Sequence, residues 1–155
     1  MNHEQSFDAR SKPKLSESIC EKYLERKNIY YKRFGWDYNV EQIPAHQFVK
    51  IPDYMRARPD FIIFTDKAYF LEVKGCKSYL GLKICDMRAY AFWNMVMKLY
   101  FFIYSSLKKT MYKLSYDKMN DITKYCEVKI YQDAVPKHYY KVKIETLEKE
   151  GVKCE

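Results

Sequence analysis

Two apolar runs, PDFIIF (residues 59–64) and AYFLEVKG (residues 68–75), stand three residues apart. Both are rich in β-branched and aromatic side chains, and the intervening Thr65-Asp66-Lys67 suits a tight turn, so the pair reads as an antiparallel hairpin. A three-residue loop fixes the register. Phe64 then falls opposite Ala68, and counting outward sets Asp60 across from Glu72. Period-two alternation places Lys74 on the face that carries Glu72 and turns Val73 the other way, into the core. A loop one residue longer or shorter would break this arrangement.

The consequence is chemical. Side chains directly opposed on one sheet face lie about 4.5–5.5 Å apart at Cβ, and like charges at that distance destabilise the pair. One reading is a salt bridge in which Lys74 satisfies the acids at a solvated strand end. The other is a divalent cation between the carboxylates, for which Mg²⁺ is suited because it takes hard oxygen ligands from one or two carboxylates and leaves its other positions to water and phosphate.

The rest of the chain supplies elements around the hairpin. LSESICEKYLERKN reads as an amphipathic helix with Ser16 as N-cap and Ile19, Cys20, Tyr23 and Leu24 as its apolar stripe. NIYYKRFGW is a strand closed by Gly35. The segment DYNVEQIPAHQFVKIPDYMRAR, interrupted by Pro44 and Pro52, is an irregular strand or loop. After a loop at CKSYLGL, KICDMRAYAFWNMVMK carries Ile84, Met87, Ala91 and Met95 at helical spacing. LYFFIYSS is a buried strand, KTMYKLS a short strand, YDKMNDITKYC a helix, and EVKIYQ and HYYKVKIE further strands. Residues 1–14 read as a flexible arm and 15–155 as one domain. The fold class is α/β, a central mixed β-sheet flanked by helices.

Lys and Arg number 28 against 20 Asp and Glu, a net charge of +8, which suits an anionic partner. Five cysteines without any CxxC pair fit a reducing compartment, and the N-terminus lacks the apolar segment of a secretory signal, so the expected location is the cytoplasm. The stretch AYAFWNMVMKLYFFIYSSL is long enough to span a bilayer, but Lys98 at its middle would cost about 2.5–3.5 kcal/mol there, and no membrane association is expected. The alternation of Tyr and Lys in YYKRFGW and KHYYKVK suits bases stacked on rings with phosphates on lysines. It equally describes any half-buried strand, which is the reading favoured from sequence.

PDFIIF followed by FLEVKG resembles the motif of the PD-(D/E)XK nuclease superfamily, in which Pro and Asp open one strand and Glu-x-Lys sits on its hairpin partner. The similarity of element order extends over roughly residues 15–106. It implies a restriction-endonuclease-like core and Mg²⁺-dependent hydrolysis of phosphodiester bonds, with Mn²⁺ as a substitute ion. By position, the resemblance makes Asp60 and Glu72 metal ligands, adds the main-chain carbonyl of Val73, and sets Lys74 beside the attacking water. A Glu from the first helix also joins such sites; Glu17 is preferred to Glu21 because Cys20 and Leu24 follow it at i+3 and i+7. Pro52-Asp53 is set aside because no apolar strand follows it. Candidate nucleic-acid contacts are Lys83, Arg88, Tyr90, Arg58 and Lys77. The implied partner is DNA, the implied assembly a homodimer, and the implied activity a junction-resolving or otherwise structure-selective endonuclease. The alternatives are a DNA exonuclease and a non-catalytic nucleic-acid-binding module of the same fold.

Overall fold

The computed structural model describes residues 15–36, 43–131 and 136–155. The expected N-terminal arm, 1–14, and residues 37–42 of the proline-containing connection lie outside the described residues. The elements in chain order are α1 (Leu15–Arg26), β1 (Tyr30–Arg33), α2 (Ala45–Phe48), α3 (Asp53–Arg56), β2 (Phe61–Phe64), β3 (Ala68–Cys76), β4 (Tyr79–Lys83) and α4 (Ile84–Val96). They continue with β5 (Leu99–Ser105), β6 (Thr110–Ser115), α5 (Tyr116–Thr123), β7 (Glu127–Tyr131), β8 (Lys137–Lys143), α6 (Ile144–Glu150) and β9 (Val152–Cys154).

Two sheets result. The larger has strand order β1-β2-β3-β5-β6-β9, and the smaller has β4-β8-β7. Only β3 and β5 pair in parallel within the large sheet; every other neighbouring pair runs antiparallel. The parallel pair requires a crossover, and β4 with α4 provides it. The hairpin has the expected register, Phe64 opposite Ala68 and Phe61 opposite Leu71, so Asp60 is the next residue outward, facing Glu72. Thr65 Oγ1 donates to the Lys67 carbonyl at 2.9 Å and closes the three-residue loop.

Both faces of the large sheet are covered, which accounts for the near-continuous apolar runs of β3 and β5. Cys20 and Leu24 of α1 pack on Phe61, Ile63, Leu71, Val73 and Phe102 on one face. On the other, Met87, Tyr90 and Trp93 of α4 pack on Phe70, Phe101 and Ile103, together with Leu80, Leu82 and Val142 from the small sheet. Each such Leu, Ile or Phe stabilises the fold by about 1.5–3 kcal/mol when fully buried.

Several elements differ from expectation. Ser16 lies inside α1, whose first residue is Leu15, and is buried with its hydroxyl against the backbone of Gly75. The expected loop at CKSYLGL contains β4, whose Leu80 and Leu82 are buried by alternation. The proline-containing connection forms the single turns α2 and α3. The apolar stripe expected for α4 is rotated: Met87 is buried, but Met95 is 86% exposed while Tyr90 and Trp93 face the core. The helix packs against two surfaces, the large sheet and the small one, so its buried arc is not the single stripe that periodicity suggests. The stretch at 89–107 is divided between α4 and β5, and among the described residues no helix is long and apolar enough to cross a membrane. All five cysteines are free thiols.

Candidate active site

The site is built at the point where β2 ends and β3 continues. β2 starts pairing at Phe61, so beyond that residue the β3 edge is open to a side chain instead of a strand. Asp60 uses it: its Oδ2 accepts the Val73 N–H at 2.7 Å. In an extended strand the N–H and C=O of one residue face the same edge, so the Val73 carbonyl also faces the Asp60 side. The Asp60 backbone is fixed in turn, its carbonyl accepting the N–H groups of Phe34 and Gly35 at 2.8 and 3.1 Å. Gly35 permits this approach, because a Cβ there would lie 3.1 Å from Asp60 Cα and 3.4 Å from Oδ1.

Glu72 is 4% exposed and lies on the α4 side of the sheet. Its Oε1 receives two donors, the Lys74 ammonium at 2.6 Å and the Tyr90 hydroxyl at 2.6 Å. Lys74 also donates to the Tyr90 oxygen at 3.0 Å and lies over that ring. The second carboxylate oxygen, Oε2, is buried and has no hydrogen-bond partner. Burial pushes the Asp60 carboxyl well above the usual carboxylate range, and the Glu72 charge adds to the effect against the opposing pull of Lys74 and the Val73 N–H. Burial alone would lower the Lys74 ammonium, but Glu72, Tyr90 and Asp60 outweigh it and hold the amine protonated. The Tyr90 hydroxyl is likewise raised by burial and by Glu72.

This arrangement fits a hard divalent cation. A buried carboxylate oxygen without a donor is costly to leave unmet, and here it stands beside a second carboxyl that resists ionisation without a compensating charge. Among the described residues no three His, Cys, Asp or Glu side chains converge as a complete ligand set. Two carboxylates and a carbonyl are the donor set that Mg²⁺ accepts while retaining water.

The remaining candidates are placed as follows. Glu17 and Glu21 both pair with Arg33, at 3.1 and 3.2 Å, and Arg33 lies over the Phe61 ring. Glu17 is the less exposed of the two and contributes to raising Asp60. Tyr90, expected to touch nucleic acid, has its hydroxyl inside the carboxylate cluster. Arg58 lies against the rings of Trp36 and Phe34, at 3.8 and 5.2 Å. Arg88 and Lys77 are exposed, while Lys83 ends β4 and is partly exposed. Lys77, with Ser16, Gly75 and Ser106, lines an open groove of about 540 Å³ at the carboxyl end of β3, beside Lys74. Sequence reasoning missed Arg33, and named Gly35 only as the end of a strand and not for its approach to Asp60. The signal for Gly35 was its place two residues after Arg33, where the chain must pass close to the start of β2.

The fold, a central mixed sheet flanked by helices, is restriction-endonuclease-like and is shared with a solved structure of low sequence identity. Its solved neighbours include the Holliday junction resolvase Hjc of Archaeoglobus fulgidus, with a TM-score of 0.54, 11% identity, and coverage of 89% of this chain and 88% of that one. D212, a nuclease from a fusselovirus, aligns with a TM-score of 0.41 and 8% identity over 87% of this chain and 84% of that one. No protein-family model matches the sequence, and no curated protein matches it.

Proposed function

We propose that this chain is a Mg²⁺-dependent nuclease that hydrolyses phosphodiester bonds in DNA, acting as a structure-selective endonuclease on branched substrates. The observation that carries the reading is Glu72: a buried carboxylate with one oxygen held by Lys74 and Tyr90 and the other left without a donor, facing Asp60. Binding of nucleic acid alone gains nothing from opposed acids. The fold shared with a Holliday junction resolvase supports the choice of a branched substrate.

Asp60, Glu72 and the Val73 carbonyl would hold the ion, with Glu17 as the further acid on α1. A bound Mg²⁺ acidifies water and acts as a Lewis acid toward phosphoryl oxygens. The protein's own groups do the remainder. Lys74, kept protonated by its neighbours, is a fixed cation for the charge that develops on the phosphate and not a general base. Tyr90 orients both Glu72 and Lys74 through its hydroxyl. The groove lined by Lys77 and Ser106 gives the scissile strand a path along the end of β3.

The test is a cleavage panel of four-way junction, flap, linear duplex, single-stranded DNA and RNA, with Mg²⁺, Mn²⁺ or EDTA. Junction cleavage is expected with either metal, and its loss in EDTA and in Asp60→Ala and Lys74→Ala. Cleavage that persists in Asp60→Ala would refute the assignment of the site.

A further inference from the structure

The outward face of the small sheet carries the Tyr-Lys alternation that the catalytic reading leaves unused. Residues opposed across antiparallel strands share a face. The registers Tyr79↔Lys143, Gly81↔Lys141, Lys83↔Tyr139, Lys129↔Tyr139 and Tyr131↔Lys137 therefore gather three tyrosines and five lysines on one side. Leu80, Leu82 and Val142, which alternate with them, are buried on the other side. The only acid in that register is Glu127, and it is paired with Lys129 at 2.6 Å. Lys137 and Lys143 are exposed, and Tyr79 is 39% exposed.

The rings are ordered against one another. Tyr131 stacks on Tyr139 with centroids 4.1 Å apart, and Tyr79 lies parallel to Tyr139 at 6.5 Å. Lys141 places its ammonium 5.0 Å from the Tyr79 ring centre. Gly81 makes room for this: a Cβ there would stand 2.6 Å from the Tyr131 hydroxyl and 3.3 Å from the Tyr139 ring. A face that served only solubility would need the lysines but not three parallel rings over a glycine. An acidic protein would likewise be met by the lysines alone.

We propose that this face is a binding platform for a single-stranded stretch of nucleic acid, its bases stacking on Tyr79, the exposed end of a ring ladder whose middle member Tyr139 is buried, and its phosphates meeting the lysines. Rings with interleaved cations are the arrangement by which single strands are held without sequence preference. Tyr79 follows Lys74 by five residues, a chain length of no more than about 18 Å, so a strand leaving the catalytic site can run onto the platform. The inference rests on the reading of the protein as a nucleic-acid enzyme and extends it to the substrate's unpaired arm.

The experiment is fluorescence anisotropy with the full chain in EDTA, using labelled oligothymidylate, a hairpin duplex, and heparin as a polyanion without bases. Tyr79→Ala should weaken oligothymidylate binding about 5- to 150-fold and leave heparin binding unchanged. The double variant Lys141→Gln, Lys143→Gln should reduce the slope of log affinity against log salt by about 1.4 on the single strand. Gly81→Ala, which displaces Tyr131 but keeps every lysine, should weaken the oligonucleotide and preserve the slope; circular dichroism confirms folding in each case. Binding of oligothymidylate within twofold of the parent in Tyr79→Ala, equal losses on heparin, or a tyrosine-independent preference for the duplex would each overturn the proposal. Tyr79-dependent binding without cleavage in Mg²⁺ would sink the nuclease reading alone, and cleavage without such dependence would sink the platform alone.

Discussion

Replacing Lys74 with methionine asks what the ammonium contributes to the buried Glu72 side chain. The lysine contributes a 2.6 Å ion pair to a carboxylate that is 4% exposed and whose other oxygen has no donor. Methionine fills similar volume and removes the charge together with the donors to Glu72 and Tyr90. Breaking a buried pair by deleting one partner costs about 3–5 kcal/mol, because the surviving charge stays in a poor solvent. The Lys74 side chain retains 23% of its exposure, so water screens part of the pair and the lower end, about 3 kcal/mol, is expected. For a chain of 155 residues, each kcal/mol moves the melting temperature by about 2–4 °C. The metal-free variant should therefore melt about 6–12 °C below the parent in EDTA by calorimetry. Adding Glu72→Gln to Lys74→Met should recover most of the loss, since the double variant no longer buries an unpaired charge. Mg²⁺ should raise the melting temperature of Lys74→Met by restoring a cation beside the acids. A drop below about 1 kcal/mol, the range of solvated surface pairs, would refute the claim that this cluster is buried and charged.

Three further outcomes follow from the same geometry. Asp60 holds its proton more tightly folded than unfolded, so metal-free stability should fall as pH rises from the ordinary carboxylate range through its raised value; Asp60→Asn should abolish that decline, as read by melting temperature against pH in EDTA, and an unchanged profile would contradict it. Tyr90→Phe removes a 2.6 Å hydrogen bond to Glu72 and should cost about 1.5–3 kcal/mol in chemical denaturation while lowering kcat more than it changes KM. Gly35→Ala brings a Cβ within 3.1 Å of Asp60 Cα and should weaken Mg²⁺ binding, measured by calorimetric titration, with less effect on stability than Lys74→Met.

The hairpin was legible because three local facts agree: a short loop, two β-rich runs, and alternation that leaves Val73 alone between charges. No long-range information enters that register, and Phe64 pairs with Ala68 as counted. The contact of Tyr90 with Glu72 and Lys74 was not legible, because the rotation of α4 about its axis depends on the small sheet as well as the large one. That sheet was itself hidden, since Tyr79–Lys83 is five residues long with Gly81 at its centre, and such a run resembles a loop. The two single turns α2 and α3 and the terminal β9 are set by what they pack against and lack periodicity long enough to read. Nor could the sharing of Arg33 between Glu17 and Glu21 be read, because it joins a helix to a strand that only the folded chain brings near.

Val73 belongs to two structures at once. Its side chain is part of the packing beneath α1, and its N–H holds the carboxylate of Asp60 on the open edge of β3. One peptide unit thus transmits any repacking around Cys20 or Leu24 directly to a prospective ligand. Drift in the α1 layer should be felt as altered ion preference well before it is felt as unfolding, so residues packed beneath the sheet become a place where the ion site can be retuned.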